Sequence, residues 1–112
     1  MSARKEAFLF VAQRASAAVL GVCVIAHLAT IVYAVRGGLT GAEILARTQG
    51  SLGLALFYGM FVVAVAIHAP IGLRSVLRDQ MGWRGSALDA GLAAFAVLLV
   101  WTGWRAVGGL FG

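Results

Sequence analysis

Three long stretches of the chain carry no formal charge. They run from Ala15 to Val35, from Thr48 to Leu73 and from Ala90 to Trp104. A membrane-spanning helix needs about 20 predominantly apolar residues. The first two stretches meet that length outright. The third meets it with Leu88 and the Ala106–Leu110 tail included, which leaves Asp89 and Arg105 near the two interfaces. Trp101 and Trp104 then fall where an aromatic belt is expected. Strict alternation of apolar and polar residues is absent, and backbone groups in lipid must pair within their own segment. The pattern therefore predicts helices, with spans at approximately 9–35, 50–76 and 87–108. Turn chemistry separates them: Arg36-Gly37-Gly38-Leu39-Thr40-Gly41 follows the first span, and Asp79-Gln80-Met81-Gly82-Trp83-Arg84-Gly85 follows the second. Thr40–Arg47 predicts a short amphipathic interfacial helix, with Thr40 as N-cap and Glu43 at the third position.

Composition agrees with this reading. Of 112 residues, 62% are hydrophobic and 12% charged, against about 25% charged in a soluble domain. That excludes an ordinary water-soluble globule and a disordered chain. The net charge of +5 raises nucleic acid as a partner, but the basic residues sit at the ends of apolar stretches, as membrane anchors do. We expect no nucleic-acid partner. The chain reads as one transmembrane domain over 1–112. A cleaved signal peptide over the first span is disfavoured. The apolar run is too long, Arg14 interrupts its start, and no small-x-small site follows. The single cysteine, Cys23, excludes an internal disulfide.

The loops give an orientation. Arg4, Lys5, Arg14, Arg74, Arg78 and Arg84 lie on one side of a three-span topology. Arg36, Arg47 and Arg105 lie on the other. The positive-inside rule then places the N-terminus in the cytoplasm.

The chemistry concentrates in two histidines, His27 and His68, both inside spans. An intramembrane ionisable group is a functional hypothesis by default. The plain alternative is a neutral imidazole bonded to a neighbouring backbone or side chain. The sharper reading is axial ligation of haem iron through one ring nitrogen, with the other hydrogen-bonded. Ala64 and Gly72 flank His68 on one helix face, where small residues leave room for a porphyrin or for close helix packing. Pro70 frees the carbonyl of Ala66 and predicts a bend. Depth separates the two histidines. His27 lies ~20 Å beyond Arg14 and His68 ~9 Å beyond Arg74, at 1.5 Å per residue. Two axial ligands of one iron lie within ~4 Å of each other, so the two cannot share an iron within one chain. Each needs a partner histidine from another chain, or His27 is idle.

The stretch Ile67-His68-Ala69-Pro70-Ile71-Gly72-Leu73-Arg74-Ser75-Val76-Leu77-Arg78-Asp79 resembles the second span of the cytochrome b membrane-anchor subunits of succinate dehydrogenase and fumarate reductase. Their pattern is a histidine, a glycine four on, an apolar residue and often an arginine, and an aspartate eleven on. His68, Gly72, Leu73, Arg74 and Asp79 match it. Gln13-Arg14-Ala15-Ser16-Ala17 is similar to the family's His-Arg-x-Ser-Gly motif at the start of the first span. The resemblance covers nearly the whole chain.

What the resemblance implies is specific. The fold would be all-α, three transmembrane helices forming half of a six-helix haem-binding anchor bundle. His68 would ligate haem b nearer the cytoplasmic side, and His27 would ligate a second, outer haem, giving one or two haems per pair of anchor units. Arg74 would face a haem propionate. Arg14, Ser16 and Asp79 would contribute to a quinone pocket, quinone being the substrate. Three departures bear on that pocket: Phe10 stands where the family has a serine, Gln13 where it has a histidine, and Gln80 where the companion subunit has a tyrosine. The partners implied are a flavoprotein, an iron–sulfur subunit and a second three-helix unit, either a second copy or a different chain. The setting implied is the bacterial inner membrane, and the role is in respiration and the tricarboxylic acid cycle.

The chain holds no Gly-x-Gly-x-x-Gly flavin motif and no cysteine set for an iron–sulfur cluster, so it is expected to catalyse nothing alone. Two alternatives stand beside this reading. One is a small multi-span transporter, although such transporters of this length use four spans and an intramembrane glutamate, whereas Glu6 and Glu43 lie outside the spans here. The other is a structural membrane subunit without haem.

Overall fold

A computed structural model describes residues 2–112. Four helices follow one another: α1 (Ala3–Gly37), α2 (Gly41–Thr48), α3 (Leu52–Met81) and α4 (Ser86–Phe111). Three of them, α1, α3 and α4, are long and apolar enough to cross a membrane. The described residues contain no strand. The molecule is an all-helical membrane protein. It measures 49 × 24 × 23 Å, and its long dimension slightly exceeds a bilayer with its headgroups, about 40–45 Å.

Local sequence sets the helix ends. The Ser2 hydroxyl accepts from the Lys5 amide at the start of α1. Ser51 does the same for Leu54 at the start of α3. Thr40 and Glu43 form the reciprocal capping box expected of them, and it opens α2. Gly82 ends α3 with φ +70°, a left-handed conformation that favours glycine because it has no Cβ. Pro70 is buried, and α3 continues through it as helix on both sides. The α1 and α4 helices run past their expected spans at both ends, and α3 runs past its own at the C-terminal end.

The α3 helix is central, with α1 packed on one side and α4 on the other. Its contact with α4 is tight at one point. A Cβ on Gly103 would come 2.5 Å from Val62 Cγ1 and 2.8 Å from Cγ2, so only glycine admits this approach. The α2 helix closes the far end. The Thr48 hydroxyl donates to the Leu110 carbonyl at 2.7 Å, and the Gly50 amide donates to the Phe111 carbonyl at 3.0 Å. These bonds satisfy carbonyls that the end of α4 leaves without an intrahelical partner.

Burial is distributed as lipid solvation requires. The buried apolar residues are Cys23, Ala64, Ala66, Leu92 and Phe111, most of them small. Small side chains between helices are the usual basis of packing in membranes. Large apolar side chains such as Phe8, Val22, Ile25, Val97, Trp101 and Trp104 point outward. Such a surface would aggregate in water and is ordinary against acyl chains.

Candidate functional site

The inward face of α1 recurs at spacings of three and four residues: Leu9, Gln13, Ser16, Leu20, Cys23, His27, Thr30 and Ala34 are all at least partly buried. Ser16 and His27 thus share a stripe. Eleven residues separate them, which at 3.6 per turn returns the chain to within about 20° of the same direction. Both meet α3, at two different levels.

At the first level, nearer the N-terminus of α1, Ser16 Oγ lies 3.3 Å from Nδ1 of His68. The same hydroxyl donates to the Gln13 carbonyl at 3.1 Å. Ser16 is buried and His68 half-buried. Nε2 of His68 takes no hydrogen-bond partner among the described residues. Gly72, one turn on, faces Gln13: a Cβ there would come 3.2 Å from the Gln13 amide nitrogen. The space over Gly72 is therefore filled by α1, which is the packing use of a small residue. Gln13 Oε1 is buried without a partner among the described residues.

At the second level, nearer the C-terminus of α1, Nδ1 of His27 lies 3.0 Å from the Tyr58 hydroxyl. The imidazole stands edge-on to Tyr58 and Phe61, which are themselves nearly parallel. Phe111 stacks on Tyr58 at 5.4 Å and 14°. Two apolar clefts of about 300 and 710 Å³ adjoin His27 and Tyr58. Because His27 is level with Tyr58, and Tyr58 precedes His68 by ten residues on α3, the two imidazoles lie about 15 Å apart along the bundle at 1.5 Å per residue. The sequence alone puts this separation nearer ~10 Å. Either value keeps the two from sharing an iron.

The N-terminal ends of α1 and α4 and the C-terminal part of α3 meet in a charged cluster. Glu6 accepts from Arg74 Nη2 at 3.1 Å, and both its oxygens accept from Arg78 Nη1 at 3.1 Å. Asp89 stands 3.7 Å from Arg74 Nε and 3.7 Å from Lys5 Nζ. Arg78 also donates to Asp79 at 3.2 Å. The Arg74 side chain is only 8% exposed, so its carboxylate neighbours compensate a nearly desolvated charge. A cleft of about 620 Å³ opens beside Arg74, Arg78, Arg84 and Trp83.

A family model described as succinate dehydrogenase/fumarate reductase transmembrane subunit matches residues 1–104. The chain belongs to that family. It is a transmembrane subunit of succinate dehydrogenase or fumarate reductase, a membrane anchor of a complex with other subunits. The search of curated proteins and the search of solved structures return no significant match.

Within this anchor subunit, the sequence-predicted residues divide. Ser16 and His68 come together. Arg74 is drawn to Glu6 and Asp89. Arg14 is exposed, with its guanidinium 5.6 Å over the Phe10 ring. Asp79 is exposed and turned to Arg78. His27 is held within its own chain by Tyr58. Two participants went unread in the sequence, Glu6 and Tyr58. A tyrosine in an apolar run was the available signal for Tyr58, since a buried hydroxyl needs a partner.

Proposed function

We propose that this anchor subunit holds haem b through His68 and forms part of a quinone site on the cytoplasmic side. One observation carries the reading: an imidazole within the membrane, with Nδ1 engaged by Ser16 and Nε2 unengaged. The donor set fits a haem. A neutral imidazole ligates iron through one nitrogen while the other is hydrogen-bonded. Arg74 stands about 9 Å farther along the helix axis and brings a buried positive charge of the kind a propionate pairs with. Its geometry leaves that role in competition with Glu6 and Asp89. A bound haem would supply one-electron exchange between the iron–sulfur subunit and the quinone.

The residues of this chain do the rest. His68 would hold the iron, and a histidine of a second three-helix unit, a further copy or a different chain, would complete its ligation. Arg14, near the inner surface, donates to a quinone carbonyl and stabilises negative charge developing on that oxygen. Asp79 lies on the same side of the membrane. The charged ends of α1, α3 and α4 offer the docking surface for the iron–sulfur and flavoprotein subunits, which carry the substrate chemistry. We place the complex in the bacterial inner membrane, with the N-terminus of this chain in the cytoplasm.

We read one haem rather than two, because the hydroxyl that meets His27 differs from the one that meets His68. Tyr58 has no second acceptor among the described residues and can donate to His27 Nδ1, which puts the ring proton on Nε2 and leaves no lone pair there for iron; this supports the plain alternative for that residue. The test is the absorption spectrum of the assembled complex. The expected result is b-type bands that His68→Ala abolishes. Bands that survive the substitution, or a cofactor-replete complex without them, would overturn the proposal in favour of a structural subunit without haem.

A further inference from the structure

We infer that Ser16 is a positioning residue for His68, one that sets the imidazole tautomer and through it the reduction potential of the haem that His68 holds. The inference rests on the haem reading above and assigns Ser16 a task other than quinone contact.

The Ser16 hydroxyl has one proton and two neighbours, the Gln13 carbonyl at 3.1 Å and His68 Nδ1 at 3.3 Å. The carbonyl can only accept. With the hydroxyl proton directed to the carbonyl, the contact to His68 is a hydrogen bond only if Nδ1 carries a proton and donates it to Oγ. The chain then runs one way: His68 Nδ1–H to Ser16 Oγ, and Ser16 O–H to the Gln13 carbonyl. A neutral imidazole protonated at Nδ1 has its lone pair at Nε2, the nitrogen that has no partner among the described residues.

No other α1 side chain is within hydrogen-bond distance of His68. Ser16 is buried at 6% exposure, so water does not stand in for the hydroxyl. Its neighbours on the stripe, Leu20 and Cys23, offer no oxygen. Gln13 turns its amide toward Gly72 instead. The ring orientation is held at the same time as the tautomer, because Ser16 Oγ is itself tied to the α1 backbone.

A ligand histidine that donates its second N–H to an acceptor is a stronger base toward the metal. A stronger base favours the ferric over the ferrous iron and lowers the potential. Removing the acceptor raises it.

The experiment uses the assembled complex in membranes, with redox titration of the b-type absorbance and the electron paramagnetic resonance of the oxidised haem. Ser16→Ala is expected to keep the haem, move its midpoint to a more positive potential and shift the low-spin ferric signal. Ser16→Thr, which retains the hydroxyl, is expected to restore both. His68→Ala tests the parent reading separately, through loss of the haem. If His68→Ala loses haem while Ser16→Ala leaves potential and signal unchanged, the positioning role is overturned and the haem reading stands. A positive shift in Ser16→Ala that Ser16→Thr does not reverse also overturns it, because the effect then follows packing rather than the hydroxyl. If His68→Ala retains the haem, both fall.

Discussion

The imidazole of His27 and the hydroxyl of Tyr58 meet at 3.0 Å across the α1–α3 contact. This bond joins two polar groups that would otherwise face an apolar setting alone. Interhelical hydrogen bonds in membranes average about 0.6 kcal/mol by double-mutant cycle. A cycle of His27→Ala and Tyr58→Phe, read by unfolding in detergent micelles, should give a coupling of that order. His27→Ala should leave the b-type spectrum of the assembled complex unchanged. A spectral component lost in that variant would show a second, outer haem and overturn the single-haem count.

This pair also marks how far the sequence could be read. Uncharged stretches bounded by basic residues specify three helices because lipid excludes charge and unpaired backbone alike. The Thr40–Glu43 cap is local, so four residues suffice to predict it. The different depths of His27 and His68 follow from helical rise. What a lone histidine faces across a helix interface depends on rotation about the axis, which flanking apolar residues do not specify when lipid and protein are equally apolar. Ser16, singled out for a quinone, meets His68 across that interface. Glu6, outside every span, reaches Arg74 because α1 begins at Ala3, ahead of its span, and runs beside α3. Gly72 read as room for a ligand or for a helix, and the Gln13 side chain settles how that space is used.

A tight α3–α4 approach depends on the missing side chain at Gly103. Gly103→Ala places a methyl group against Val62, and overpacking of this kind costs about 1–3 kcal/mol. The expected outcome is a lower unfolding midpoint in micelles, partly recovered by combining Gly103→Ala with Val62→Ala. An unchanged midpoint in the single variant would show that the two helices separate there without loss.

Acidification should loosen α2 through Glu43. The Thr40 hydroxyl and the Thr40 amide both donate to the Glu43 carboxylate and hold its pKa below the ordinary value, aided by Arg47. A carboxyl depressed in the folded state contributes stability that is present above its unfolded pKa and lost as pH falls through its folded one. The contribution is therefore intact at neutral pH. It declines as pH drops below about 4.3, the ordinary glutamate value, and disappears beneath the depressed one. Amide exchange across Gly41–Thr48 should speed up over that window beyond its intrinsic pH dependence. Glu43→Gln keeps an acceptor without the titration, and its α2 protection should lack this acid-induced loss.

Cysteine labelling can test the orientation without removing the native thiol. Cys23 is the only cysteine, and it is fully buried at 0% exposure. An impermeant maleimide should therefore give no background in the folded protein. Ala3, Leu39 and Met81 are exposed near helix ends, and each accepts a cysteine without disturbing a cap. With the N-terminus in the cytoplasm, Ala3→Cys and Met81→Cys react only in inverted vesicles, whereas Leu39→Cys reacts only in spheroplasts. The opposite pattern would reverse the orientation drawn from the six basic residues at the inner face. Ala3→Cys and Met81→Cys reacting from different sides would break the three-span topology itself.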